Sequence, residues 1–215
     1  MSIPKSAIFV KIMAEKIFNN DELDNKAPFQ SRLNDNTEIM ATIKLEGMHF
    51  FAYHGVYDEE RKLGTDYILN ISIDTNIKKA GESDDLEKTI NYETVYEICR
   101  FEMKKPSNLL EHVVDRIEKR MKMQFPNMKS LTIKLQKLNP PMPGKIDSAS
   151  IETKASFEKK CKRCGKNMTC YGDKTCWCHH VILHTATLEH IKTQFGGCLC
   201  PKCLNIFADK RPTEV

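Results

Sequence analysis

Between residues 67 and 77, apolar side chains alternate with residues that are mostly polar. The alternating positions hold Tyr67, Leu69, Ile71, Ile73, Thr75 and Ile77. Because successive side chains of a β-strand point to opposite faces, this period of two predicts a half-buried strand. One face of that strand packs on a core, so the rest of the chain must supply elements to cover it.

In five further segments, apolar residues recur at the regular spacing of a strand or a helix. These segments are a strand at 43–51, helices at 93–105 and 108–125, and strands at 131–135 and 149–157. Pro106 separates the two helices, since proline breaks a helix interior. The order β-β-α-α-β-β predicts an α+β domain at 41–157, with a four-stranded antiparallel sheet and two helices on one face. A one-sided sheet of this size is expected to need partners along its edges.

The first 40 residues differ from this domain in composition. Five asparagines with interspersed acidic residues indicate a weakly structured leader. The segment MATIKLEGM, starting at Met40, is typical of a natural protein start. Two interpretations stay open, namely a disordered arm and an upstream extension of the gene model.

The C-terminal segment 158–208 is predicted to be a second, cysteine-rich domain. Eight of the nine cysteines lie between residues 161 and 203. The sequence shows no export signal and no apolar run of membrane-spanning length, so we expect a cytoplasmic protein in a reducing compartment. Clustered cysteines in that setting indicate metal ligands rather than disulfides.

Two pairs with zinc-knuckle spacing, Cys161-x2-Cys164 and Cys200-x2-Cys203, predict a zinc site. The gap between them holds more potential ligands than one site needs: Cys170, Cys176, Cys178, Cys198, His179, His180, His184 and His190. We expect a structural role, because a domain this small needs a metal to fold. Net charge is +5 after residue 157, from 10 basic and 5 acidic residues, which is weak evidence for nucleic-acid binding. A thiol redox role is the other alternative.

Several polar residues could carry chemistry, and each also has an ordinary structural explanation. Lys137 occupies one of the alternate positions of its strand that otherwise carry apolar side chains. Its ammonium therefore either reaches water at the strand end or sits in a drier site. Glu111 could close a capping box with Asn108. Glu60 lies in an acidic loop of the kind that is usually a solvated turn, and Tyr92 just before a helix could simply pack.

Four segments containing these residues have the spacing of one family's motifs. They are LEGMHFFAYHGVYDEE at 45–60, DDLEKTINY at 84–92, NLLEH at 108–112 and KLNPPMPG at 137–144. In this order they resemble the dihydroneopterin aldolases, over about residues 41–157. Thr65 and Asn91 depart from the family pattern, which often has Gln and His there. The segment around Cys176-Trp177-Cys178 resembles an uncharacterised cysteine-rich family named for that tripeptide.

The resemblance implies a tunnelling fold and retro-aldol cleavage of dihydroneopterin to 6-hydroxymethyl-dihydropterin and glycolaldehyde in folate biosynthesis. It implies that Glu111 and the Leu110 backbone bind the pterin, and that Lys137 transfers protons. It also implies that Tyr92 serves protonation of the enol intermediate and that Glu60 contacts substrate and ordered water. Neither a Schiff base nor a catalytic metal is expected. The predicted assembly is a homo-oligomer, an octamer, with sites between subunits.

Two alternatives to this function stay open. Dihydroneopterin epimerases and other tunnelling-fold pterin enzymes share the fold, and the epimerases share the retro-aldol step. A non-catalytic metal-binding adaptor on an oligomeric scaffold is the alternative from another class. The presence of Glu60, Tyr92, Glu111 and Lys137 argues against an inactive scaffold.

Overall fold

The computed structural model describes residues 38–208 of the chain. Its sheet consists of β1 (Met40–Ala52), β2 (Thr65–Asn76), β3 (Ser130–Leu138) and β4 (Ser148–Ser156), in that order and antiparallel throughout. The predicted four-stranded sheet is therefore confirmed. The predicted leader lies outside the described residues except for 38–40, of which Met40 already pairs with Asn76 at the start of β1.

Four helices belong to this part of the chain. They are α1 (Asp58–Leu63), α2 (Lys78–Ser83), α3 (Tyr92–Met103) and α4 (Leu110–Gln124), with a 3-10 turn at Leu86–Lys88. The longer α3 and α4 are the two predicted helices, and both pack against the sheet. The short α1 and α2 were not predicted, because six residues are too few to display a helical period.

The core lies between the sheet and these two helices. The register of β2 against β3 places Leu69 opposite Leu135 and Ile71 opposite Ile133, all fully buried. From the helices, Val95, Cys99, Val113, Ile117 and Met121 complete this core. Burial of each large aliphatic side chain contributes about 1.5–3 kcal/mol, so the alternation in β2 accounts for much of the driving force.

A buried ion cluster fixes the connection between α3 and α4. Glu102, 2% exposed, pairs with Lys105 at 2.8 Å, Arg116 at 3.0 Å and Arg120 at 3.3 Å. Burial by itself would raise the pKa of Glu102, but these three cations hold it below its ordinary value. Arg116 also donates to Ser107 Oγ, to the Glu102 carbonyl in the last turn of α3 and to the Lys105 carbonyl of the connection, so one side chain joins the end of α3 to the turn.

The C-terminal part consists of short elements around a second core. They are β5 (Glu158–Lys160), β6 (Asn167–Thr169), a 3-10 turn at Trp177–His180, α5 (Thr185–Phe195) and α6 (Pro201–Ala208). Tyr171 joins this part to the first core: its ring meets Phe157 edge-on at 4.8 Å and its hydroxyl donates to the Phe125 carbonyl. Among residues 38–208, no helix has both the length and the apolar character needed to cross a bilayer.

Replacing Glu102 with Gln should destabilise the domain, because Lys105, Arg116 and Arg120 would lose the buried carboxylate that they share. Breaking a buried ion pair from one side typically costs about 3–5 kcal/mol. Urea unfolding followed by circular dichroism measures the change. The control is Glu97→Gln on the same helix, which removes a solvent-exposed pair with Arg100 and should alter the midpoint little. Equal midpoints for the two variants would contradict the importance of the cluster.

Candidate active site

Lys137 lies near the end of β3 and faces the core side of the sheet. It is 7% exposed and stands opposite Tyr67 of β2 and Ala149 of β4. The sequence therefore predicted correctly that Lys137 lies on the face of β3 that carries the apolar side chains. The strand-end interpretation, in which the ammonium reaches water, is wrong, because the segment after β1 covers the end of the strand.

Two oxygens hold the Lys137 ammonium. Its Nζ donates to Glu60 Oε1 at 2.5 Å and to the His54 carbonyl at 3.1 Å. The same carbonyl accepts a hydrogen bond from the Tyr67 hydroxyl at 2.8 Å. The His54 backbone oxygen is thus shared between a cation and a phenol, and it sets the position of both.

Glu60 belongs to the first turn of α1, and its second oxygen accepts the Tyr57 N–H at 3.0 Å. Burial would raise the pKa of Glu60, but the hydrogen bond from Lys137 and the backbone donors lower it below its ordinary value. The interpretation of this loop as a solvated turn is wrong for Glu60. Its carboxylate is 14% exposed and faces inward to the lysine.

Glycines on both sides of α1 let the loop approach the sheet. A Cβ on Gly55 would lie 2.3 Å from Glu60 Oε2, so a side chain there would displace the carboxylate. Gly64 ends α1 at φ +72°, and a Cβ there would meet the Phe51 ring at 2.6 Å. Gly55 is therefore needed for the carboxylate to keep its place, and Gly64 for the left-handed turn that ends α1 against the Phe51 ring.

His54 is fully buried beside this pair. Its ring lies 5.2 Å from the Tyr67 ring in an edge contact, and neither ring nitrogen has a hydrogen-bond partner among the described residues. Burial, followed by the charges of Arg116 and Lys137, lowers the pKa of His54 to about 4, although the Met103 backbone opposes this shift. The imidazole is therefore neutral near pH 7. Its proximity to Lys137 could not be predicted from the sequence, because the two residues are 83 positions apart.

Glu111 is exposed in the first turn of α4. The capping-box interpretation is wrong, because α4 begins at Leu110 and its N-cap, Leu109, makes no side-chain cap. Leu110 is partly buried against the core. Its N–H belongs to the first helical turn, where backbone donors lack an intrahelical acceptor and favour negative charge. The helix start therefore presents one carboxylate and free backbone donors side by side.

Tyr92 opens α3 and is 65% exposed. The preceding Asn91 caps the helix, accepting the N–H groups of Glu93 and Thr94. Within residues 38–208, no hydrogen bond or ion pair joins Tyr92 or Glu111 to Lys137 or Glu60. Of the five predicted site residues, the structure thus brings Lys137 and Glu60 into contact and leaves Tyr92, Leu110 and Glu111 apart from them.

A cavity of about 830 Å³ opens next to Tyr92, with Ile90, Asn91 and Thr94 in its wall. Glu60, Glu111 and Lys137 are all absent from its lining. We therefore place the candidate active site at the Lys137–Glu60 ion pair and not in this cavity.

The predicted metal ligands come together in the C-terminal part. The sulfurs of Cys161, Cys164, Cys200 and Cys203 all lie within 4.8 Å of one another, and Cys164 and Cys200 are 3.7 Å apart. Tetrahedral zinc with Zn–S bonds of about 2.3 Å requires sulfurs roughly 3.8 Å apart. The Cys200 N–H also donates to Cys161 Sγ at 3.2 Å, which suits a thiolate. The donor set fits a structural metal ion.

Fold and site define a small α+β domain that carries a buried lysine–glutamate ion pair and is followed by a cysteine-rich part whose four-sulfur cluster fits a metal ion. The family model for dihydroneopterin aldolase matches residues 43–154, and the model for cysteine-rich CWC proteins matches residues 161–205. The first match covers more than half of the chain. The chain therefore belongs to the dihydroneopterin aldolase family.

Known members resemble this chain along nearly their whole length. A dihydroneopterin aldolase of Bacillus subtilis (strain 168) is 38% identical over 114 residues, which cover 53% of this chain and 95% of that protein. A dihydroneopterin aldolase of Staphylococcus epidermidis is 35% identical over 111 residues, which cover 51% of this chain and 92% of that protein. The crystal structure of E. coli dihydroneopterin aldolase in complex with neopterin matches with a TM-score of 0.50 at 20% identity. The match covers 54% of this chain and 99% of that one. That structure confirms the fold.

Gly55→Ala should separate Glu60 from Lys137, because the added methyl group would occupy the position of the carboxylate. We expect Lys137 to become more reactive towards an amine-labelling reagent, read by mass spectrometry at that residue. Gly81→Ala is the matched control, since a Cβ there meets nothing within 4 Å. Unchanged labelling of Lys137 in Gly55→Ala would mean that the carboxylate is not held as described.

Proposed function

We propose that this chain is a dihydroneopterin aldolase acting in folate biosynthesis. It cleaves 7,8-dihydroneopterin into 6-hydroxymethyl-7,8-dihydropterin and glycolaldehyde. The buried Lys137–Glu60 pair, in a chain that matches the family along the whole domain, is the observation that carries the proposal. Incubation with dihydroneopterin and detection of both products tests it. Formation of an epimer without glycolaldehyde would favour an epimerase, and turnover of neither kind would favour a scaffold.

The reaction needs proton transfers at three positions. A base removes the proton of the side-chain 2′-hydroxyl, and the C1′–C2′ bond breaks as glycolaldehyde forms. The electrons of that bond form a C1′=C6 double bond while the C6=N5 π electrons move to N5, so N5 gains a proton and an enol intermediate results. Protonation at C1′ with loss of the N5 proton then restores the C6=N5 bond and gives the product. Because the substrate supplies its own electron sink, we propose that neither a Schiff base nor a catalytic metal is needed.

Lys137 is our candidate for proton transfer: its ammonium gives a proton to N5, and the resulting amine accepts the 2′-hydroxyl proton, directly or through water. Its ammonium is fixed by two acceptors and shielded from bulk solvent, as a proton donor in a preorganised site should be. A Schiff base would require Lys137 to give up its ion pair with Glu60. Glu60 orients the ammonium and is placed to contact substrate and ordered water.

Glu111 and the Leu110 backbone are our candidates for pterin binding. The exposed carboxylate can accept two N–H groups from the pterin, one from the 2-amino group and one from the ring. The Leu110 N–H, in the first turn of α4, can donate to a ring acceptor. The same helix end therefore offers both acceptor and donor to a flat heterocycle.

We propose that the enzyme works as a ring-based homo-oligomer, an octamer, with each site shared by two subunits. Tyr92 is exposed and has no contact with Lys137 within its own described chain, so a neighbouring copy could supply it for enol protonation. The outer strands β1 and β4 each have one unpaired side, which gives the sheet two edges at which copies could associate.

The domain at 41–157 thus carries the proposed catalysis, and we assign 158–208 a structural zinc site at Cys161, Cys164, Cys200 and Cys203. The four-sulfur geometry described above supports zinc. Free cysteines at all nine positions are consistent with our proposal of a cytoplasmic enzyme.

Two alanine variants should separate chemistry from binding. Lys137→Ala should lower kcat by about 100- to 10,000-fold with a small change in pterin affinity, because proton transfer acts in the transition state. Glu111→Ala should weaken pterin binding strongly, since the carboxylate holds ground state and transition state alike. Lys134→Ala and Asp115→Ala are matched controls on β3 and α4. Steady-state rates and pterin titrations give both quantities; near-normal turnover of Lys137→Ala would refute the assignment.

Subunit mixing tests the shared site. Tyr92→Phe and Lys137→Ala should each be impaired alone, yet a mixture dissociated and reassembled together should regain part of the lost activity. Reassembly would create some sites that carry both an intact tyrosine and an intact lysine. The control mixes two Lys137→Ala samples, where no such site can form. A fully active monomer in light scattering would contradict the proposed assembly.

A further inference from the structure

The buried core of the C-terminal part consists largely of cysteines. Its nine buried residues are Cys161, Met168, Cys170, Cys176, Ile191, Leu199, Cys200, Cys203 and Leu204. Five of the nine are therefore cysteines, which contribute little apolar area compared with leucine or isoleucine. A segment of about fifty residues is hard to stabilise with such a core alone.

Four cysteines remain after the zinc site already described, and they form a second group. Cys170 Sγ lies 3.5 Å from Cys198 Sγ and 3.9 Å from Cys176 Sγ. Cys178, two residues after Cys176, is partly buried and packs against the same core. Three sulfurs thus meet at Cys170, and the fourth thiol lies next to them in the chain.

The sulfur separations decide between two kinds of cysteine chemistry. A disulfide needs sulfurs about 2.05 Å apart. Sulfurs bound to one tetrahedral zinc lie roughly 3.8 Å apart, since each Zn–S bond is about 2.3 Å. The distances of 3.5 and 3.9 Å match the zinc arrangement and resemble the 3.7 Å found between Cys164 and Cys200 of the first group.

The backbone holds the second group in place independently of the sulfurs. Cys170 directly follows β6, and its N–H donates to the Phe157 carbonyl at 2.7 Å. Cys176 and Cys178 border the start of the 3-10 turn, while Cys198 accepts the Lys162 N–H at 3.1 Å through its carbonyl. Because Cys198 and Cys200 are separated by one residue, a single short segment supplies a ligand to each group.

The histidines between the two cysteine pairs do not compete for this position. His179, His180, His184 and His190 are all exposed. A tetrahedral site formed by buried and half-buried thiols needs no further ligand. The sequence offered eight candidates in this gap, and burial separates the four cysteines from the four histidines.

We propose that Cys170, Cys176, Cys178 and Cys198 bind a second zinc ion, separate from the one at Cys161, Cys164, Cys200 and Cys203. The chain then holds two zinc ions in interleaved four-sulfur sites. Between Cys170 and Cys176 lie Tyr171 and Asp173, which contact the Phe125 carbonyl and Lys122 of the aldolase domain. The second zinc therefore fixes the loop by which the C-terminal part attaches to the enzyme.

Metal analysis of the full-length protein, purified with a reductant, tests the proposal. We expect two zinc ions per chain. Cys170→Ser with Cys198→Ser should leave one, and Cys161→Ser with Cys203→Ser should also leave one. Cys99→Ala is the control, because Cys99 lies in the other core, and it should keep two. One zinc per wild-type chain, or iron in place of the second zinc, would overturn the proposal.

Alkylation of the wild-type protein gives an answer even if the serine variants do not fold. Mass spectrometry should find Cys170, Cys176, Cys178 and Cys198 protected from a thiol reagent until a strong zinc chelator is added. Zinc release should accompany the loss of protection. Modification of these four thiols without chelator, or a disulfide between Cys170 and Cys198 under reducing conditions, would refute the second site.

Discussion

The Lys137 ammonium lies on the buried face of a sheet that is otherwise covered by aliphatic side chains. A charge in that position is costly unless oxygens replace the water it has lost. Glu60 and the His54 carbonyl supply those oxygens, which forces the chain after β1 to fold back over the end of β3. The Gly55 N–H donates to the Ser107 carbonyl, and Ser107 is held by Arg116. The charge cluster between the two long helices thereby supports the position of the lysine.

Much of the sheet and both long helices could be predicted, because each is long enough to show its period. The parity of Lys137 was also predictable from its strand. Its partner was not, since Glu60 is 77 residues earlier and lies in a helix of six residues. The capping interpretation of Glu111 failed because the N-cap of α4 is Leu109, one residue after Asn108, and Leu109 has no side chain that could cap. Periodicity reports which face a residue occupies and says nothing of what it meets there.

The two departures from the family pattern have structural roles in this chain. Asn91 caps α3 through its side-chain oxygen, and so it fixes the start of the helix on which Tyr92 stands. Thr65 donates its hydroxyl to the Leu138 carbonyl, joining the start of β2 to the end of β3 next to Lys137. Thr65 and Asn91 each make a hydrogen bond beside the site, and neither adds an acid or a base. They are therefore compatible with the family's chemistry.

The acceptor shared by Lys137 and Tyr67 is a backbone oxygen, not a side chain. Every amino acid carries that oxygen, so no substitution at position 54 can delete it. Evolution can alter the environment of the lysine here only by bending the main chain, for instance by changing the glycine that follows. A comparison of sequences would consequently pass over one of the groups that defines this site, and only the path of the main chain reveals it.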